Sequence, residues 1–310
     1  MNSVNYFKAL ADQTRLRLLN LFRHHELNVN EVVEIMEMGQ SRISRHLKIL
    51  TDSDLITFRR SGLWTFYSAV DNGAGSEFIR AVGYLFEKDS IFPEDLRRAR
   101  RIKEERSRQS NQFFNAIAED WEGLKKEIIG SFDLNNFIQS NVPRCHAIVD
   151  LGCGTGDLLP YLKVRADVVI GVDRSANMLE EAGRRFSNDE SQIDLRIGDI
   201  DHLPLRDGEA DLGIINMVLH HLPSPQNALP EIYRILKAGS SFIIVDFLRH
   251  RLEDMRQRYG DRWLGFSREE MARWLKNAGF QPGNISLFDL SKGLKGFILP
   301  SIKIEKEKGV

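Results

Sequence analysis

The chain predicts two α/β domains in tandem: a small N-terminal set of short helices closed by a β-hairpin, and a larger C-terminal domain around a mostly parallel, doubly wound sheet. Three observations carry this expectation. Short apolar runs at residues 147–151, 167–172, 193–197, 211–216 and 241–247 alternate with helical stretches, the pattern of repeated βαβ units. The first of these runs opens into a turn with glycine at every second position, Gly152, Gly154 and Gly156. The first 70 residues instead show helical periodicity that gives way to alternation. At 310 residues the chain is long enough for two domains that each bury a core.

Composition narrows the function classes. Hydrophobic residues make up 42% and charged residues 28%, ordinary values for a soluble globular protein. No apolar run reaches the roughly 18 residues of a membrane span, and the N-terminus lacks the apolar core of a signal peptide. The expectation is a cytoplasmic protein without a membrane partner. Two cysteines, Cys145 and Cys153, are too few for a disulfide framework, and no metal site is expected. The net charge of −1 conceals an asymmetry: residues 1–110 hold 18 Lys+Arg against 15 Asp+Glu, or +3, and the remainder 25 against 29, or −4. So small an excess does not announce a nucleic-acid partner, so its distribution must decide.

Residues 3–24 read as one amphipathic helix, straight or kinked, with Phe7, Leu10, Leu18, Leu21 and Phe22 on its apolar side. Residues 31–38 form a second short helix, and after Gly39 residues 41–50 form a third. Ile43, Leu47 and Leu50 fall at i, i+4 and i+7 and face the core, which leaves Ser41, Arg42, Ser44, Arg45, His46 and Lys48 outward on a basic face free of carboxylates. Residues 55–60 and 64–70 alternate as strands around Ser61-Gly62-Leu63, with Arg59 and Arg60 near the tip. Two short helices joined by a tight turn, then such a hairpin, make a winged helix-turn-helix. Its expected partner is a double-stranded DNA operator, with Arg42 and Arg45 at guanine edges and Arg59 and Arg60 on phosphates. Residues 74–90 supply a further helix with Phe78, Val82, Leu85 and Phe86 apolar.

The run Ala9-Leu10-Ala11-Asp12-Gln13-Thr14-Arg15-Leu16-Arg17-Leu18-Leu19, with that third helix and wing, resembles the ArsR-type regulators over residues 3–90. Gln13 stands where the family often has proline. The resemblance implies a homodimer formed through the first and last helices. Such a dimer would present two recognition helices to half-sites one helical turn apart. Metal-sensing members place a Cys-x-Cys pair about where this chain has Asn28 and Asn30. Asparagine offers no soft thiolate, so metal sensing there is not expected. Residues 96–108 follow, with Arg97, Arg98, Arg100, Arg101, Lys103, Arg106 and Arg108 against Glu104 and Glu105. They form either a solvated linker helix or another DNA contact. The expected divisions are residues 1–95, a linker at 96–110, and 111–310.

The second domain opens with an aromatic helix over residues 113–121, which either packs on the sheet or covers a ligand. In Val149-Asp150-Leu151-Gly152-Cys153-Gly154-Thr155-Gly156, glycine lets the backbone pass close beneath a ligand. A dinucleotide fingerprint would carry a third spaced glycine where Asp157 stands. Asp150 and Asp157 bracket the loop with carboxylates that repel a pyrophosphate and attract an ammonium and a sulfonium, favouring S-adenosylmethionine over NAD. Asp173 ends the second strand, positioned to accept both hydroxyls of a ribose, a trait shared with NAD folds. Ser175 can cap the next helix, and Met178 can lay its thioether on an adenine face. In Gly198-Asp199-Ile200 the carboxylate is placed for the adenine amino group. Asn216 ends the fourth strand before Met217-Val218-Leu219-His220-His221. The expected cofactor contacts are therefore Asp150, Gly152, Gly154, Gly156, Asp173, Met178, Asp199, Ile200 and Asn216.

With Glu231-Ile232-Tyr233-Arg234-Ile235-Leu236-Lys237-Ala238-Gly239, this ordered set resembles the class I S-adenosylmethionine-dependent methyltransferases over about residues 110–300, especially the ubiquinone/menaquinone C-methyltransferase branch. Ala238-Gly239-Ser240 replaces the family's usual Pro-Gly-Gly. The resemblance implies a Rossmann-like domain with a mostly parallel seven-stranded sheet, a small-molecule methyl acceptor and S-adenosylmethionine as cofactor. Residues 284–290 and 295–302 would close the sheet as an antiparallel hairpin. Methyl transfer from a sulfonium is an in-line displacement, and a base is needed only where the acceptor must lose a proton. His220 is the candidate catalytic residue, as base, orienting group or structural histidine, with His221 beside it. Residues 248–266 are the candidate substrate cover, with His250, Tyr259 and Trp263 as contacts. Ser267 and Glu270 read as a capping box, ended by Gly279. Arsenite is not the expected acceptor, because arsenite methyltransferases need several cysteines for the metalloid and this chain has two, one of them in the glycine loop. The expected function is a DNA-binding transcriptional regulator carrying a small-molecule methyltransferase domain. The alternatives are a non-catalytic sensor of S-adenosylmethionine or S-adenosylhomocysteine, and an enzyme that uses the head only to dimerise.

Overall fold

A computed structural model of the chain describes residues 3–61, 64–84, 91–186 and 193–305. It divides into two units, Met1–Arg106 and Ser107–Val310.

In the first unit Asp12 splits the first predicted helix. Helix α1 spans Ser3–Leu10, and Asp12, in extended conformation, caps α2 (Gln13–His24) by accepting from the Arg15 N–H at 3.0 Å. After β1 (Leu27–Asn28), Asn28 caps α3 (Val29–Met36) in a capping box, its own N–H donating to Glu31 Oε2 at 2.8 Å. Helix α4 spans Gln40–Asp52, and the hairpin is β2 (Ile56–Ser61) with β3 (Trp64–Ala69), β1 pairing on the far edge of β3. The hairpin tip, Gly62 and Leu63, lies outside the described residues. Helix α5 spans Gly73–Val82, and Leu85 and Phe86 of the longer predicted helix also lie outside the description. Leu18, Leu19, Leu21, Ile35, Ile43, Leu47 and Leu50 form the core.

Helix α6 runs Ile91–Ile117 and absorbs both the predicted basic linker and the start of the predicted aromatic helix. In the first unit two of its arginines are held by their own unit: Arg98 pairs with Glu37 at 3.1 Å, and Arg106 pairs with Glu31. Asp95 accepts from Nε and Nη2 of Arg17, each at 2.7 Å. These pairs favour a helix anchored on its unit over a third DNA contact.

The second unit adds α7 (Trp121–Ile129), α8 (Leu134–Ser140), β4 (Cys145–Leu151), α9 (Leu159–Lys163), β5 (Ala166–Asp173), α10 (Ala176–Phe186), β6 (Ile193–Ile197) and β7 (Ala210–Asn216). A 3₁₀ turn at Leu219–His221 leads to α11 (Pro225–Ile235), β8 (Leu236–Phe247), α12 (Asp254–Arg258), α13 (Arg268–Ala278), β9 (Phe280–Pro282), β10 (Ser286–Asp289) and β11 (Lys295–Lys303). The strand order is β10-β11-β8-β7-β4-β5-β6, with β6, β5, β4, β7 and β8 parallel and β11 and β10 antiparallel. The seven-stranded expectation falls one short, because β9 pairs with the end of β11. Gly279, in the left-handed region at φ 94°, closes the Ser267–Glu270-capped helix and turns the chain straight back into the sheet. The order reverses between β4 and its neighbours β5 and β7, which opens a crevice at their carboxyl ends. No described helix is long and apolar enough to cross a membrane.

Candidate functional site

On the first unit, burial of Ile43, Leu47 and Leu50 fixes the rotation of α4. Ser41, Arg42, Ser44, Arg45 and Lys48 are exposed, as the spacing requires, with Lys48 paired to Asp52 at 2.9 Å. His46 departs from that face: its side chain is 13% exposed and Nδ1 lies 3.8 Å from the Asp12 carboxylate that caps α2. Arg59 departs further. Its guanidinium takes both oxygens of Glu26, at 2.7 and 3.3 Å, lies over the Phe66 ring, and leaves 13% of the side chain exposed. Arg59 therefore braces the hairpin, and of the two arginines it is Arg60 that is exposed. Successive strand residues point to opposite faces, so the two arginines could not both look outward.

The second unit encloses a cavity of about 180 Å³ at the carboxyl ends of β4, β5 and β7. Eight of the nine expected cofactor contacts line it, with Gly156 set behind them. Gly152 and Gly154 take φ of 77° and 54°, and a Cβ on Gly152 would meet Val218 at 2.6 Å. The Gly154 N–H donates to Asp173 Oδ2 and the Ser175 N–H to Oδ1, each at 2.8 Å. The carboxylate thus fixes the loop while keeping acceptor capacity on each oxygen. Burial raises the Asp173 pKa, against backbone donors that lower it. Ser175 caps α10 through the Met178 N–H at 3.1 Å, and Met178 and Ile200 are buried in the cavity wall. Asp199 accepts from the Asp201 N–H and pairs with Arg174 at 3.3 Å. Cys153 is buried, and its thiol is pushed up by that burial, as a packing residue would be.

The expected acidic bracket is only half present. Asp157 is neutralised by Lys125 at 2.8 Å and by Arg185. Asp150 is 2% exposed, its Oδ1 has no hydrogen-bond partner among the described residues, and burial pushes its carboxyl up to about 7. Asn216 Oδ1 is likewise buried and without a partner among the described residues. A buried acceptor left unpaired is costly. A ligand with an ammonium and a ribose diol would satisfy Asp150, Asn216 and Asp173 together, so these residues fit S-adenosylmethionine.

The far end of the cavity holds groups the sequence did not bring together. Met217, at φ 58°, turns the chain sharply after β7 and buries His220 and His221. His220 Nδ1 lies 2.7 Å from Asp246 Oδ1, and its Nε2 lies 3.6 Å from Asp261. Burial disfavours the His220 charge, but the two carboxylates outweigh it and hold its pKa above the ordinary value. His221, buried beside His220, is depressed well below that value. The His220 carbonyl accepts from the Arg262 and Trp263 N–H groups at 2.9 and 3.0 Å, which draws Asp261 onto the histidine. Of the three named contacts of the expected cover, Tyr259 alone reaches the cavity, joined there by Met255 and Asp261 of the same segment; its hydroxyl donates to Glu127 and accepts from Lys292, each at 2.9 Å. Trp263 is core, its indole N–H on the Leu222 carbonyl, and His250 lies outside the cavity wall. Sequence reasoning missed Asp246, whose signal was an acid inside the apolar run before Phe247, and Asp261, which carried none. Phe114 and Trp121 pack edge-on to His221, so the aromatic segment does line the cavity.

Comparison with known proteins agrees with both halves. Residues 12–57 match the family described as bacterial regulatory protein, arsR family, and residues 149–244 match a methyltransferase domain family. The arsenical resistance operon repressor of Bacillus subtilis is 45% identical over 75 residues, covering 23% of this chain and 71% of the repressor. The demethylmenaquinone methyltransferase of Symbiobacterium thermophilum is 31% identical over 153 residues, 46% of this chain and 61% of that enzyme. The chain spans 44% of the corresponding Lactiplantibacillus plantarum enzyme, so it covers less than two thirds of either methyltransferase. Among solved structures, the [4+2]-cyclase SpnF superposes with a TM-score of 0.54 at 17% identity over 64% of this chain and 97% of the cyclase, a likeness of fold alone. Through its N-terminal unit the chain belongs to the arsR family of bacterial regulatory proteins, and its C-terminal unit carries a methyltransferase domain.

Proposed function

We propose that the chain is a transcriptional regulator that binds a duplex DNA operator through α4 and Arg60 and methylates a small molecule in its C-terminal cavity. The observation that carries this reading is the division of that cavity. Orphaned acceptors, Asp150 and Asn216, stand at the loop end, and a buried histidine oriented by a carboxylate stands at the other. A domain that only sensed the cofactor would need the first set and not the second. When bound, S-adenosylmethionine supplies a methyl group on a sulfonium. Asp150 and Asp173 hold and orient, Phe114 and Trp121 keep water from the acceptor side, and His220 acts on the acceptor. Asp246 holds the Nδ1 side of His220 and so leaves Nε2 facing the acceptor end of the cavity, to act there directly or through a bound group. Val4 and Phe7, exposed on α1, support a homodimer formed through that helix. A DNA operator and this cofactor would both suit a cytoplasmic protein.

The test has two arms. Genomic DNA fragments are captured with the protein in the presence and absence of S-adenosylmethionine, and methyl transfer from labelled cofactor to a cell-extract metabolite fraction is followed. Enrichment of a shared sequence together with a labelled small product that His220→Ala abolishes is expected. Enrichment without a labelled product would reduce the C-terminal unit to a sensor, and random capture would remove the regulator.

A further inference from the structure

The sequence suggests no metal site, yet three ligand-type side chains converge at the acceptor end of the cavity. His220 and His221 come from the turn after β7 and Asp261 from the loop after α12, and their candidate ligand atoms all lie within 4.8 Å of one another. Asp261 Oδ1 is 3.6 Å from His220 Nε2 and 3.8 Å from His221 Nδ1. Both separations are too long for hydrogen bonds. They are close to the spacing of two ligand atoms on one first-row divalent ion, about 3.4 Å for bonds of about 2.1 Å at tetrahedral angles.

The surroundings point the same way. The Asp261 side chain is 1% exposed, and neither of its oxygens has a hydrogen-bond partner among the described residues. A carboxylate so placed needs a counter-charge, and the nearer of its two histidines, His220, is already shared with Asp246. Asp246 accepts from His220 Nδ1 at 2.7 Å and from the Phe247 N–H at 2.7 Å. That contact turns the Nε2 lone pair toward Asp261, the arrangement by which a carboxylate orients a metal-bound imidazole. The backbone clamp of Arg262 and Trp263 on the His220 carbonyl presets the distance between the two segments. His221 Nδ1 now lies 3.2 Å from the Gly260 carbonyl. An ion would replace the proton shared there.

We infer that His220, His221 and Asp261 form a binding site for one borderline divalent cation of the zinc or cobalt type. Two imidazoles and one carboxylate do not suit magnesium or calcium, which take oxygen ligands. All three residues line the cavity, so the remaining coordination positions face the acceptor, as in catalytic rather than structural sites. Resting on the reading of this cavity as a methyltransferase site, the acceptor class is then a molecule with a hydroxyl or enol oxygen. That oxygen would bind the cation, which would polarise its O–H bond.

The test uses the full-length, tag-free chain, stripped with a chelator and titrated with Co²⁺ while visible absorbance is recorded, then with Zn²⁺ in competition. One Co²⁺ per chain, displaced by Zn²⁺, is expected. Asp261→Asn and His221→Gln should each weaken Co²⁺ binding by at least about tenfold, and Asp246→Asn by about ten- to a hundredfold. Cys145→Ser should leave it unchanged, since that thiol lies outside the cavity. Calorimetric binding of S-adenosylmethionine, within about twofold of wild type, certifies that each variant is folded. Absence of saturable 1:1 binding, or binding indifferent to both Asp261→Asn and His221→Gln, overturns the inference. Cobalt binding that depends on these residues in a chain that binds no S-adenosylmethionine would uphold the metal site and overturn the methyltransferase reading instead.

Discussion

Replacing Asp150 with asparagine should move stability and cofactor affinity in opposite directions. The Asp150 carboxyl is buried, and that burial raises it from an ordinary 3.8 to about 7. An acid with a raised value holds its proton in the fold, so its favourable contribution is full below about pH 3.8 and is lost as pH rises to about 7. Roughly three pH units at about 1.36 kcal/mol each set an upper bound of about 4 kcal/mol on what the ionised carboxylate costs the ligand-free protein above neutrality. Asp150→Asn cannot ionise. It should therefore stabilise the free C-terminal unit at pH 8 by up to about that amount and change almost nothing at pH 4. Cofactor binding reverses the sign, because an ammonium favours the carboxylate. Wild-type affinity should fall up to tenfold for each pH unit below about 7, while the variant should bind at least about tenfold more weakly at pH 8 with a flat profile. Denaturant unfolding followed through Trp121, Trp263 and Trp274, with calorimetry across the same pH range, reads both effects. A variant less stable than wild type at pH 8, or a wild-type affinity flat from pH 5.5 to 8, would refute the reasoning.

Asp173→Ala should weaken S-adenosylmethionine binding by more than about 1.4 kcal/mol, since it removes the ribose acceptor and frees the Gly154 and Ser175 N–H groups, and unchanged calorimetric affinity would sink that assignment. Arg45→Ala should cost about 1–3 kcal/mol of DNA affinity and relax sequence preference, whereas Arg60→Ala should weaken all sequences alike and lower the salt slope, as binding titrations at several salt concentrations will show. Arg59→Ala should act differently from both, lowering the unfolding temperature by uncovering Glu26 while leaving the salt slope alone. DNA titrations in the free, S-adenosylmethionine and S-adenosylhomocysteine states should differ by about 1–3 kcal/mol, and a Gly-Ser insertion after Arg101, within α6, should erase that difference; superimposable titrations would mean two independent functions on one chain.

Local rules made much of this protein legible in its sequence. Three spaced glycines, acids at strand ends and a helix with Ile43, Leu47 and Leu50 on one side each express a constraint of a few neighbouring residues on backbone angles or on one face. The capping pair Ser267 and Glu270 and the left-handed Gly279 belong to the same class, and all of these stand where the spacing put them. What the spacing could not decide is where a charge goes once the chain has folded. Arg59 and Arg60 are adjacent and alike, and only the approach of Glu26, 33 residues away, turned one inward. Asp157 had the same chemistry as Asp150, but Lys125 and Arg185 reached it and left Asp150 alone in the apolar wall. The histidine pair was visible, yet its partners Asp246 and Asp261 lie 26 and about 40 residues further along and meet it only through the register of β8 and the Arg262–Trp263 clamp. Electrostatic energy depends on distance and burial, and both are properties of the tertiary fold. The sequence determined which residues could carry the chemistry, and the packing of the sheet and its loops decided which charges remain free to do so.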